Sequence, residues 1–215
     1  MRTVVGIVIA LLGTGSVKAA EVANASWSRT PSWAEMQAAY PATAKASSGS
    51  VTLRCTVGAA GVLIDCKNQD EKPDGQGFYE AALMLAPLFV IAATTVSTPV
   101  AGDTVDVPFN FTRSGPKASP KLLRPKWVNQ MGVAEARSLF PATAPPQVSQ
   151  GAAVVRCQIN AEGLLKPCSV LSETPKNAGF AGAALATAER MVMNPWSEGF
   201  PVEGQTLTFQ LTFSR

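Results

Sequence analysis

The chain has 215 residues, of which 47% are apolar and 15% charged, and this composition excludes a disordered chain and a collagen-like fibre. A formal charge of +3 gives no reason to expect nucleic acid as a partner. The sequence contains no histidine, which excludes every mechanism that needs a histidine base or a histidine metal ligand.

Residues 1–19 have the organisation of a secretory signal peptide. Arg2 precedes an apolar run from Val4 to Leu12, and small residues follow up to Ala19. The apolar run is about half as long as the roughly 20 residues of a membrane-spanning helix. We therefore expect a periplasmic protein cleaved after Ala19, or after Ala25 at a second acceptable site, with an uncleaved inner-membrane anchor as the alternative.

The rest of the chain contains an internal repeat. Residues 40–44 resemble residues 140–144, and the four cysteines then correspond in pairs at an offset of 102 positions. We predict two domains, residues 27–113 and 125–215, each large enough for a modest core. The segment 114–124 is rich in proline, serine and lysine, which is typical of a linker.

Both repeats predict the same order of elements. Apolar and polar residues alternate around Val51, Leu53 and Cys55, which is typical of a half-buried strand. The first repeat predicts a short helix over 33–39, strands over 51–57 and 62–66, a helix over 78–85 and a strand over 104–111. The second predicts a helix over 133–139, strands over 153–159 and 164–170, a helix over 180–192 and a strand over 205–213. This order predicts two β-β-α-β units. The predicted fold class is therefore α+β, and each unit is a small antiparallel sheet with one helix packed on a face.

Four cysteines in an exported chain predict two disulfides. Cys55 and Cys66 lie eleven positions apart, as do Cys157 and Cys168, and each pair brackets a turn that contains glycine. This spacing favours the local pairs Cys55–Cys66 and Cys157–Cys168, and directly opposed cysteines then require a hairpin loop with an even number of residues. The closely spaced cysteine pairs of zinc sites are missing, so we expect no metal.

Several motifs recur in a fixed order: an aromatic-proline pair, an alternating strand, a glycine turn, a helix beginning Gly-Phe-x-x-Ala-Ala-Leu, and a Pro-Val-x-Gly turn before an aromatic strand. The clearest piece is residues 199–204, Gly-Phe-Pro-Val-Glu-Gly. This order resembles the TonB C-terminal domain, the periplasmic end of the energy transducer that engages outer-membrane transporters. The resemblance implies a protein-binding module linked to transmembrane transport, without a cofactor. Only seven residues, 20–26, separate the predicted leader from the first predicted domain, so we do not expect force transmission between membranes.

The polar residues favour no catalytic site. Asp70, Glu71 and Asp74 form the one acidic run, which we assign to a solvated loop because the spacing of a calcium loop is missing. Glu71 and Glu173 recur in both repeats and are explained by a role at a helix N-terminus. The protein is therefore predicted not to be an enzyme, and a carboxylate-based enzyme is the less favoured alternative.

The last strand is the predicted binding site. Strand addition needs an exposed sheet edge, and the final strand is followed by no element that could cover one side. The corresponding strand of the first repeat contains Pro108, which lacks a donor and blunts its edge. We expect an extended peptide segment of an envelope or outer-membrane protein as partner, or self-association into a homo-oligomer. The predicted contact residues are Thr206, Leu207, Thr208, Phe209, Gln210 and Leu211.

Overall fold

The computed structural model describes residues 19–93, 98–114 and 125–215. The predicted signal peptide, except Ala19, and the predicted linker, except Ser114, lie outside these ranges. Helices and antiparallel sheets are mixed along the described chain, so the α+β class is confirmed. Within the same ranges, no helix is long and apolar enough to cross a membrane.

The elements follow one another in short segments. Before residue 115 they are β1 (Trp27–Arg29), α1 (Trp33–Ala38), β2 (Ser48–Val57), β3 (Leu63–Lys72), α2 (Phe78–Leu85), β4 (Val90–Ile91) and β5 (Thr104–Thr112). After residue 124 they are β6 (Trp127–Asn129), α3 (Val133–Ser138), β7 (Gln150–Ile159), β8 (Leu165–Thr174), α4 (Phe180–Ala188), β9 (Val192–Met193), β10 (Trp196–Ser197), β11 (Phe200–Pro201) and β12 (Thr206–Ser214).

Two three-stranded antiparallel sheets form the body of the protein. The first sheet has the order β3-β2-β5 and the second the order β12-β7-β8. Helix α2 buries Phe78, Ala81 and Leu85 in the core of the first sheet, and α4 buries Phe180 and Ala184 in the core of the second. Three two-stranded pairs, β1-β4, β6-β9 and β10-β11, lie beside these sheets.

Both predicted disulfides are present. The Cα atoms of Cys55 and Cys66 are 4.0 Å apart, and those of Cys157 and Cys168 are also 4.0 Å apart. Each bond joins the two strands of one hairpin. The two pairs are the ones that the sequence spacing predicts, and they are typical of exported proteins.

The predicted even-numbered hairpin loop is wrong. Val57 pairs with Leu63, which leaves five loop residues, 58–62. The strand register then shifts by one residue between Arg54 and Thr56, because β3 contains an extra residue there. An odd loop and a one-residue bulge together bring both cysteines to one face of the sheet. The hairpin of β7 and β8 has the same combination, with a shift between Cys157 and Ile159.

Some predicted boundaries also differ from the structure. Strand β3 continues to Lys72, so Asp70 and Glu71 lie in a strand and the assignment of the acidic run to a loop is wrong for these two residues. A second bulge opposite Thr52 and Leu53 breaks the period-two alternation that marks a strand in the sequence. Helix α4 ends at Ala188 rather than at residue 192, because Val192 and Met193 pair with β6.

Glu71 and Glu173 have the structural role that the sequence predicts. The Glu71 carboxylate accepts the N–H groups of Phe78 (3.1 Å) and Tyr79 (3.2 Å) at the start of α2. The Glu173 carboxylate accepts the N–H groups of Asn177 (2.5 Å) and Ala181 (2.8 Å) at the start of α4. Both helices begin after a glycine without a side-chain cap, so each glutamate supplies from a neighbouring strand the acceptor that a capping residue would supply.

Candidate peptide-binding edge

The predicted binding strand, β12, is an edge strand of the second sheet. It pairs with β7 in continuous register from Thr206 opposite Gln158 to Ser214 opposite Gln150. Within the described chain, β7 is the one strand that pairs with it. All six predicted contact residues, 206–211, lie in β12.

The hydrogen bonds at the two ends of β12 show which backbone groups face outward. The N–H of Ile159 donates to the carbonyl of Gln205 at 2.9 Å. Ten residues further on, the N–H of Arg215 donates to the carbonyl of Ser149 at 3.0 Å. Because an antiparallel ladder bonds alternate residues, the odd-numbered residues of β12 bond to β7. The even-numbered residues therefore direct their N–H and C=O groups away from the sheet.

These outward groups form an unpaired row. In the ranges that the structure describes, no backbone hydrogen bond reaches the N–H or C=O of residues 206, 208, 210, 212 and 214 from outside the sheet. The Thr208 hydroxyl accepts a long bond of 3.4 Å from Arg156 Nε, which leaves its backbone free. A row of this kind is the template that an added strand requires.

The side chains of β12 alternate between exposed residues and partly or fully buried residues. The even-numbered side chains are exposed, whereas Phe213 is buried with 2% of its surface exposed. Leu207, Phe209 and Leu211 are partly exposed. The ring of Trp127 lies against Phe209, with 5.9 Å between centroids. The apolar face of the strand is thus closed at its C-terminal end and partly open over the rest.

The corresponding edge of the first sheet, on β5, is largely occupied by other parts of the chain. The N–H of Thr104 donates to the carbonyl of Ala20 at 2.8 Å, and its C=O accepts the N–H of Val22 at 2.7 Å. Further along, the N–H of Asn110 donates to the carbonyl of Gly199 at 2.9 Å. Pro108 occupies an outward position and has no donor to offer. The outward backbone groups of β5 are therefore largely hydrogen-bonded to other segments, whereas those of β12 are not bonded to any described segment.

The segment that covers β5 near its centre is the hairpin of β10 and β11. Its Trp196 is 4% exposed and belongs to the core of the first sheet. The indole lies 4.9 Å from the ring of Phe89 and 5.7 Å from that of Phe109, and its N–H donates to the Pro108 carbonyl at 3.1 Å. A residue from the C-terminal part of the chain thus completes the core built by the N-terminal part.

A glycine lets this hairpin approach β5 closely. Glu198 and Gly199, with φ of 51° and 83°, form the two-residue turn between Ser197 and Phe200. A Cβ atom at Gly199 would lie 2.5 Å from Nδ2 of Asn110, which is closer than real contacts allow. The Asn110 side chain uses this proximity to donate to the Glu198 carbonyl at 2.7 Å.

The other two sheet edges are poor binding edges. Strand β3 carries charged residues along its length, and both β3 and β8 contain two register shifts. Strand β8 also contains Pro167. Charges, bulges and proline are the features that keep natural edge strands from pairing with other chains. Strand β12 has an unbroken register and no proline or charged side chain.

The titratable groups form no second candidate site. No group of three or more metal-ligating side chains occurs among the described residues. Hydrogen bonds from the Ser32 backbone and side chain lower the pKa of Glu35, which belongs to the capping box of α1. Hydrogen bonds from the backbone of Val100 and then of Ala20 lower the pKa of Asp103. Glu35 caps a helix, and Asp103 joins its own turn to Ala20 near the start of the described chain.

Sequence reasoning did not find the contact between the two halves of the chain. The sequence predicts a turn within residues 199–204, but no pattern in it indicates that Trp196 belongs to the core of the first sheet. The one local signal was the Glu-Gly pair, which is compatible with a tight hairpin.

No protein-family model, curated protein or solved structure matches the chain.

Proposed function

We propose that this protein is a non-enzymatic periplasmic binding module that captures an extended peptide segment of an envelope or outer-membrane protein by strand addition. The observation that carries the proposal is the row of outward, unpaired backbone groups on β12. The added strand would take its hydrogen bonds from the outward backbone groups of Thr206 and Thr208 and from the N–H of Gln210.

We further propose that the chain consists of two repeated β-β-α-β units, residues 27–113 and 125–215, of the TonB C-terminal type. The spacing of the elements supports this proposal, because β2, β3, α2 and β5 each begin 102 residues before β7, β8, α4 and β12. The sheet orders β3-β2-β5 and β12-β7-β8 also correspond strand by strand. On this proposal the first unit is the support and the second unit is the binder.

The export of the protein is supported by its two disulfides, which form and persist in oxidising compartments. The periplasm is the compartment that the leader sequence favours. A link to outer-membrane transport rests on the family resemblance, and the partner is defined here only by its chemistry as an extended segment with free backbone groups.

The proposal is tested by Gln210→Pro, which removes one outward donor from β12. The native Pro108 occupies the corresponding position of β5, so proline at this position is compatible with the sheet. The matched control is Gln210→Ala, which removes the same side chain and keeps the N–H. Site-specific photo-cross-linking from Thr208 in the periplasm would report capture of partners.

We expect Gln210→Pro to reduce the cross-linked product and Gln210→Ala to leave it unchanged. Circular dichroism and intact disulfides would show that both variants are folded. Undiminished capture by folded Gln210→Pro would refute strand addition at this edge.

The same free edge favours self-association as a second candidate function. Two β12 strands could pair with each other in an envelope structural protein. Analytical ultracentrifugation distinguishes the two candidates, because self-association predicts a wild-type oligomer that Gln210→Pro converts to a monomer.

A further inference from the structure

The docked hairpin of β10 and β11 shows how an aromatic turn occupies a strand edge in this protein. On β5, three consecutive residues make the contact: the carbonyl of Pro108 accepts the indole N–H, the ring of Phe109 packs on the indole, and the N–H of Asn110 donates to the turn. Two outward backbone groups thus flank one inward apolar side chain. Trp196 and the carbonyl of Gly199 are the matching groups on the hairpin.

Strand β12 presents the same set of groups 102 residues later, at Gln210, Leu211 and Thr212. The carbonyl of Gln210 and the N–H of Thr212 face outward, and no described backbone group bonds to either. The side chain of Leu211 lies between them on the apolar face. A turn like that of residues 196–199 would therefore find both of its hydrogen-bond partners on β12.

The apolar side chains around this point are less buried than their counterparts in the first sheet. Phe109 is 0% exposed under the indole of Trp196, whereas Leu211 is partly exposed. Trp27 of β1 is 4% exposed, whereas Trp127 of β6 is partly exposed and lies against Phe209. The second sheet thus has an incompletely covered apolar rim at the place where the first sheet holds a tryptophan.

We infer that the carbonyl of Gln210, the side chain of Leu211 and the N–H of Thr212 form a tryptophan site for a tight turn of a partner polypeptide. This inference rests on the proposed function and names the chemistry that anchors the partner at the β12 edge. Tryptophan combines a large apolar ring with an N–H donor, which is what an apolar residue beside a free carbonyl requires. A carbonyl three residues after the tryptophan would accept the N–H of Thr212.

The occupant is a partner rather than a second copy of this chain. The hairpin that carries Trp196 is already bound within its own chain, where the indole is 4% exposed and makes its hydrogen bond. A second copy could offer this hairpin only by exposing the core of its own first sheet. A partner with a free tryptophan turn has no such cost.

The test uses the full-length protein and a cyclised synthetic peptide of residues 194–204, which contains the tryptophan and its turn. A control peptide carries alanine in place of tryptophan. Titration followed by NMR reports the amide signals of Leu211 and Thr212 and the dissociation constant. The protein variants are Thr212→Pro, which removes the donor to the turn, and Ser214→Pro, which removes the next outward donor of β12 and leaves the three groups of the site unchanged.

We expect the tryptophan peptide to shift the signals of Leu211 and Thr212, and the alanine peptide to bind about tenfold or more weakly. Thr212→Pro should weaken binding of the tryptophan peptide, whereas the matched control Ser214→Pro should leave it intact, because Ser214 lies outside the site. Leu211→Glu is a second variant expected to weaken binding, should Thr212→Pro not fold.

Equal effects of the two peptides on β12 would overturn the inference, as would the absence of any shift there. A wild-type dimer that dissociates on Trp196→Ala would also overturn it, because the occupant would then be a second copy. Neither outcome of the peptide titration touches the proposed function, which stands or falls on partner capture by Gln210→Pro. The two proposals fail separately, because the cyclised peptide presents a turn and its binding to Leu211 and Thr212 needs no added strand.

Discussion

Replacing Trp196 by alanine should destabilise the first sheet, although the residue lies in the C-terminal part of the chain. The indole is 4% exposed, contacts two buried phenylalanines and donates a hydrogen bond to Pro108. Truncating a buried tryptophan to alanine costs about 3–5 kcal/mol. Of this, about 1 kcal/mol corresponds to the hydrogen bond, so Trp196→Phe should retain most of the stability.

Hydrogen exchange measured by mass spectrometry would locate the damage, and urea unfolding would measure its size. We expect the amides of β5 to lose protection in Trp196→Ala while those of β12 keep theirs. The matched control is Trp127→Ala, because Trp127 is partly exposed and its described aromatic contact is the one with Phe209. That variant should lose less than about 3 kcal/mol, and mainly from the second sheet. A loss below about 1 kcal/mol for Trp196→Ala, or equal loss of protection in β5 and β12, would refute the reasoning.

Three further predictions concern stability. Phe209→Pro should destabilise the fold by about 1–3 kcal/mol more than Gln210→Pro, because it removes a donor to β7 and leaves a buried carbonyl unpaired; equal urea midpoints would contradict the ladder assignment. Glu173→Gln should cost about 1 kcal/mol through weaker capping of α4, and thermal unfolding would measure it; an unchanged melting temperature would contradict the capping role. Because the folded-state pKa of Glu35 is lowered from 4.5, its contribution to stability is present above pH 4.5 and lost as the pH falls through the lowered value. Urea midpoints between pH 2 and 6 should therefore fall less steeply in Glu35→Gln than in the wild type, and identical slopes would contradict this assignment.

Local patterns in the sequence were sufficient for the central strands and the disulfides. The alternation around Val51 and Leu53 marks β2 because one face of that strand packs on α2 and the other does not. The eleven-residue spacing of the cysteines reports a hairpin, since its two strands must be close in space. Both signals arise from interactions within a few residues or within one hairpin.

Register and long-range docking could not be predicted from such patterns. A bulge adds a residue that no local propensity marks, so the full length of β3 was missed, as was the odd hairpin loop. The bond between Asn110 and Glu198 joins residues 88 positions apart. This hydrogen bond depends on how the two sheets pack together. The alternation of apolar and polar residues within either strand does not predict that packing. The same limit applies to the binding edge, because the sequence predicts the strand β12 but not that its outward groups are unpaired.

The place of Trp196 in the chain has a consequence for the order of folding during export. On the proposed route to the periplasm, the part of the chain that forms the first sheet crosses first, but the side chain that completes its core crosses when almost the whole chain has done so. In the interval the rings of Phe89 and Phe109 lack their cover and the edge of β5 lacks its hairpin. The Cys55–Cys66 bond closes a twelve-residue loop and contributes about 3 kcal/mol without waiting for any distant segment. We therefore expect chains arrested before residue 196 to resist protease only when this bond has formed, so that early oxidation protects an immature intermediate from degradation.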